Sequence, residues 1–99
     1  MTVLIVARSK PLIDRMVSLI NANGVAAGGT TYDDHAVSKL EAGDVSALII
    51  GGGVEQASRL RLQELANRKS VRVIEGALRG KDLETYVREE LLPALKCIT

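Results

Sequence analysis

The sequence predicts an α/β domain in three layers, a four-stranded parallel sheet of order 2-1-3-4 between two layers of helix. Three observations predict it. Short apolar runs recur four times along the 99 residues, three of them rich in Val, Ile and Leu. Each is followed by a longer stretch whose apolar residues fall at helical spacing. The connections are short, and in an alternating chain that implies right-handed crossovers with helices on both faces of the sheet.

Val3-Leu4-Ile5-Val6-Ala7 is an unbroken apolar run, the pattern of a strand covered on both sides. Ser9 offers an N-cap and Pro11 suits the first helical turn. Leu12, Ile13, Met16, Val17 and Ile20 continue at helical spacing until Asn23-Gly24 closes the helix. Val25 to Thr30 reads as a weaker strand, and its two glycines place it at a sheet edge. Asp33 or Asp34 caps a short helix carrying Ala36, Val37 and Leu40, closed by Gly43. Val45 to Ile50, the clearest strand, runs directly into Gly51-Gly52-Gly53; Leu62, Leu65 and Ala66 then mark a third helix. Val71 to Ile74 forms the fourth strand. Gly80 and Lys81-Asp82 open a last helix with Leu83, Val87, Leu91, Ala94 and Leu95 facing inward, ended or kinked by Pro93. With no Pro/Ser-rich linker and no repeat beyond the β–α unit, residues 1–99 are expected to form one domain.

Composition narrows the function classes. Apolar residues make up 46% of the chain and charged residues 25%, enough for a core that buries about 60–65% of the unfolded surface. Tyr32 and Tyr86 are the only aromatics, so bases find few faces to stack on and nucleic-acid binding is not expected. A net charge of +1 exerts no general pull on polyanions. Its distribution is uneven: Arg59, Arg61, Arg68, Lys69, Arg72, Arg79 and Lys81 face only Glu64 and Glu75 over the same stretch, whereas Thr31 to Asp44 is acidic. That pattern reads as solvated helix faces or as a basic docking surface. Cys97 is the sole cysteine, which excludes an intramolecular disulfide and a cysteine zinc cluster. The first apolar run is too short for a signal peptide or a membrane span, so a cytoplasmic protein with no membrane partner is expected.

In open parallel sheets ligands lie beyond the C-terminal ends of the strands, where the strand order reverses. Here that crevice lies between the first and third strands. Arg8, Ser9 and Lys10 would meet Gly51, Gly52 and Gly53 there: two cations and a hydroxyl against exposed backbone N–H groups. Such an arrangement suits phosphate, sulfate or a carboxylate. The alternative is that Ser9 only caps its helix and Lys10 is solvated. His35, the one histidine, stands beside Asp33 and Asp34 without further nitrogen or sulfur ligands, so a solvated first-turn histidine is expected, and no metal or cofactor. Cys97 has no base near it in sequence and reads as a packing residue. Asp33-Asp34 and Glu89-Glu90 are neighbours on helices and do not face each other, so neither is an acid/base pair. An enzyme is therefore the third reading, behind an interaction module and a binder of an anionic ligand. The fourth strand, apolar at Val71, Val73 and Ile74, would leave an edge for a second copy or another protein unless Arg72 blunts it; the last helix is the other candidate surface for a homodimer.

Two family resemblances follow. The stretch TTYDDHAVSKLEAGDVSALII, residues 30–50, resembles the second half of a response-regulator receiver domain, in the flavodoxin-like class. VLIVARSKPLIDRMVSLI is similar to that family's first β–α unit, and VIEGALRGKDLETYVREELLPAL resembles its closing loop and last helix, with one α–β unit missing between. The resemblance implies a magnesium-binding carboxylate pair after the first strand, but Ala7 and Arg8 stand there. It implies a phosphate-accepting aspartate after the third strand, where the chain reads Ile50-Gly51, and a hydroxyl after the fourth, where it reads Glu75-Gly76. Lys81 stands near the family's lysine. What survives is a receiver-like interaction domain without phosphotransfer. The second resemblance is to the Rossmann dinucleotide fingerprint, in ALIIGGGVEQASRLRLQELANRKSVRVIEG. Gly51 and Gly53 match its first two glycines, and Glu75 takes the place of its ribose-binding acid. The third glycine is replaced by Gln56, which implies a helix held away from the sheet. On this comparison the glycines admit a pyrophosphate; otherwise they serve a turn with positive φ.

Overall fold

The computed structural model describes residues 2–43, 45–51, 53–76, 82–91 and 93. Four parallel strands, β1 (Thr2–Val6), β2 (Ala26–Thr30), β3 (Ala47–Gly51) and β4 (Arg72–Gly76), form one sheet in the order β2-β1-β3-β4. Helices α1 (Lys10–Ala22), α2 (Asp33–Ala42) and α3 (Gln56–Arg68) connect them. A short α4 (Leu83–Tyr86) passes into a π-helical turn over Val87–Leu91, shortly before Pro93. This is a Rossmann-like, flavodoxin-like α/β arrangement, with β1 and β3 in the interior and β2 and β4 at the edges.

Alternation along the two interior strands divides the core. Val3, Ile5, Ala7, Ala47 and Ile49 face Ile13, Met16 and Ile20 of α1, together with Tyr86 and Val87. Leu4, Val6, Leu48 and Ile50 face Ala36 and Leu40 of α2 and Leu62 and Ala66 of α3. Each fully buried Ile, Leu or Val contributes about 1.5–3 kcal/mol. This is why the unbroken apolar runs at β1 and β3 are strands with no wet face.

Several boundaries differ from the sequence expectation. Tyr32, not an aspartate, is the N-cap of α2, and Asp33 and Asp34 lie within its first turn. Val45 is buried in the second cluster, but β3 begins at Ala47; Ser46 N–H still reaches Thr2 O at 2.8 Å. The strand β4 runs on to Gly76. Ser9 is the N-cap of α1, yet its hydroxyl makes no capping bond. Asp82 does cap α4, accepting from Thr85 N–H at 2.7 Å. Gly43 closes α2 in the left-handed region, φ 81°. Gly80, Lys81, Ala94 and Leu95 lie outside the described residues.

Candidate functional site

The three loops at the C-terminal end of the sheet converge on Arg8, which directly follows Ala7 at the end of β1. Its Nε donates to Glu55 Oε1 at 3.1 Å and its Nη2 to Glu55 Oε2 at 2.7 Å. Nη2 also donates to Asp33 Oδ1 at 2.9 Å and to Ser58 Oγ at 3.2 Å, and Nη1 donates to Thr31 O at 2.7 Å. Ser58 Oγ in turn donates to Asp33 Oδ2. One guanidinium thus ties the loop after β1 to those after β2 and β3.

The electrostatics follow from this geometry. The hydrogen bond from Arg8 holds the Glu55 carboxyl down at about 2, far below the ordinary 4.5. Asp33 is also lowered, first by the Ser58 hydroxyl and then by Arg8. The same partners keep Arg8 firmly protonated. The arrangement is a cross-link between loops, with one cation against two carboxylates.

At the expected anion site between β1 and β3, Arg8 is paired with Glu55 and Asp33. Ser9 O accepts from Ile13 N–H at 3.1 Å as the first bond of α1. Lys10 is exposed and lines a different recess of about 270 Å³, beside Asp14, Tyr32 and His35. Gly51 has no left-handed φ, so positive φ is not the reason for that glycine. Gly51 is required by close approach: a Cβ there would stand 2.9 Å from Ala7 Cβ. Gly53 is exposed and a Cβ there would clear Arg8 Cβ at 3.9 Å, while Gly52 is outside the described residues. Gln56 is exposed and does not act as a spacer between helix and sheet. Glu75 is bound by two residues of α3, Arg59 and Gln63, and Arg59 Nη2 also reaches Gly51 O at 2.7 Å.

His35 is exposed, as expected; its Nδ1 lies 3.4 Å from Thr30 Oγ1 and its ring meets Tyr32 edge-on at 5.3 Å. Asp33 and Asp34 diverge, the first to Arg8 and the second outward, with Arg61 at 4.0 Å. Cys97 and Lys81 are outside the described residues. Among the described residues no group of three or more His, Cys, Asp or Glu side chains is placed to hold a metal, and no helix is long and apolar enough to cross a membrane.

Two features escaped sequence reasoning. Asp33, Glu55 and Ser58 lie 25, 47 and 50 positions from Arg8, and no local pattern announces such a cluster. The other is a groove of about 700 Å³ along the α2 side of β2, lined by Leu4, Gly28, Thr30, His35, Ser38, Lys39 and Val45 among others. Its signal was Gly28, a strand glycine with open space where a side chain would project.

No protein-family profile and no curated protein sequence matches the chain. Among solved structures it is similar to a de novo designed Rossmann 2x3 fold protein determined by solution NMR. The TM-score is 0.64 at 10% sequence identity, over 91% of this chain and 71% of that one. A likeness at that identity establishes the fold alone.

Proposed function

We propose that the chain is a non-catalytic interaction or regulatory module, a truncated receiver-like domain that pairs with a second copy of itself, or with another protein, through the outer edge of β4. The observation that carries this reading is the asymmetry of the two sheet edges. At β2 the outward Ala27 N–H is taken by Asn21 Oδ1 at 2.9 Å, which blunts that edge. At β4 the Arg72 N–H points inward to Ser46 O at 3.4 Å. Peptide groups alternate along a strand, so the N–H and C=O groups of Val73 and Glu75 point away from the sheet. A two-fold axis passing through Ile74 would pair Val73 with Glu75 of the second copy, bring the two Ile74 side chains together, and avoid opposing like charges.

Support for the non-catalytic part comes from the residues at the positions of receiver chemistry: Ala7 and Arg8 after β1, and Gly51 at the end of β3. Cys97 as sole cysteine supports a cytoplasmic setting. The test is sedimentation equilibrium at high micromolar concentration. The wild type should be dimeric, and Val73→Pro, which removes an outward N–H while sparing the ladder to β3, should be monomeric. A monomeric wild type overturns the reading.

A second reading, a binder of a phosphate-containing or other anionic ligand such as a nucleotide at the loops after β1 and β3, draws on the two-point contact between Arg8 and Glu55. That geometry suits carboxylate or phosphate, so a ligand would displace Glu55. Millimolar phosphate should then raise the melting temperature of Glu55→Gln more than that of the wild type; no shift in either removes it.

A further inference from the structure

We propose that the groove between β2 and α2 binds a small organic anion, a carboxylate carried on a short apolar body. Its floor is open because Gly28 has no side chain; a Cβ there would meet nothing within 4 Å. Its wall is a stripe of α2 at helical spacing, His35, Ser38, Lys39 and Ala42. That face of the helix is distinct from the one carrying Ala36 and Leu40 into the core. The volume, about 700 Å³, lies within the range of small-molecule sites, about 300–1,000 Å³.

The lining combines polar and apolar groups. Thr30, His35, Ser38 and Lys39 supply hydroxyls, an imidazole and an ammonium, and no carboxylate lines the groove among the described residues. Ala42, Val45 and buried Leu4 supply apolar contact, and Thr2 adds a further hydroxyl. Lys39 has no ion pair among the described residues. A single ammonium with neighbouring hydroxyls matches a monoanion, and the aliphatic lining matches a short hydrocarbon. The groove lies against the β2 edge, away from β4, so the inference is independent of edge pairing.

The probe is sodium hexanoate, titrated into the ¹⁵N-labelled full chain, with hexan-1-ol and sodium phosphate as parallel titrations. Hexanoate should shift the amides of Gly28, Thr30, Ser38 and Lys39 saturably. Lys39→Ala should weaken binding roughly tenfold, the loss of one charge-assisted hydrogen bond. Gly28→Val, which puts a strand-favouring side chain into the floor where a Cβ meets nothing within 4 Å, should abolish it while leaving the spectrum of α3 in place. Absence of a saturable shift, equal binding of hexanol, saturation by phosphate alone, or shifts centred on Arg8 and Gly53 would each overturn the assignment.

Discussion

Arg8 and Glu55 meet as a two-point fork, 3.1 and 2.7 Å across, although 47 positions separate them in the chain. Because that contact holds Glu55 at about 2 in the fold against an ordinary 4.5, it makes stability pH-dependent. A lowered native value means that the contribution is complete above the unfolded value and is lost as pH falls through the folded one. Asp33 acts in the same direction. Thermal melts followed by circular dichroism should therefore fall between about pH 5 and pH 2. Glu55→Gln should flatten part of that decline and Arg8→Ala more of it, since Arg8 lowers both carboxylates. Parallel curves for wild type and Glu55→Gln would contradict this.

Gly28 and Gly29 are adjacent in β2 but should respond oppositely to substitution. A Cβ on Gly29 would stand 2.1 Å from Ile13 Cγ2, and Ile13 is buried on a β-branched side chain that cannot swing aside. Gly29→Ala should cost about 1–3 kcal/mol by overpacking. Gly28→Ala meets nothing and should gain up to about 0.5–1 kcal/mol from the stiffer unfolded chain. Urea denaturation of both variants measures the contrast, and equal midpoints would refute it.

Ser70 leaves α3 in the left-handed region at φ 58°, the sole non-glycine among the described residues to do so. Its N–H bonds to Asn67 O at 3.2 Å, closing the helix. Ser70→Gly relieves that strain, and after glycine's own entropic cost the gain should be on the order of 0.5 kcal/mol. The melting temperature should rise by roughly 2–4 °C. A lower melting temperature would show that the serine has a role beyond the turn.

Asn21 protects the β2 edge through its bond to Ala27 N–H. Asn21→Ala should lose about 0.5–1.5 kcal/mol and speed hydrogen exchange at Ala27. It should also promote strand-to-strand aggregation on heating, measurable by light scattering. Unchanged exchange at Ala27 would remove the protective role.

The strand order and the helix faces were legible because burial on two sides leaves an unmistakable pattern, as in Val3 to Ala7 and Leu48 to Ile50. Gly43 likewise marked its helix end, since its φ of 81° suits glycine. The site was less legible. Arg8 was recognised as a cation at the right place, but its partners come from two other loops, and a linear reading cannot weigh Glu55 and Asp33 against a free ligand. The glycine corner misled for a related reason: Gly51 answers to the neighbouring Ala7 rather than to its own φ. The last helix was expected to be ended or kinked by Pro93, and it loosens into a π-helical turn over Val87–Leu91 shortly before that residue.

The core, built almost wholly from aliphatic side chains, has a practical outcome. With no tryptophan in the chain, its near-ultraviolet emission comes from two phenol rings, and these occupy opposite environments: Tyr32 is 66% exposed and Tyr86 is 3% exposed. Tyr86 lies where the final helix meets Ile13, Met16 and the first face of the sheet. Quenching by acrylamide should therefore resolve a shielded component that reports docking of the C-terminal helix alone, a built-in optical probe that needs no label.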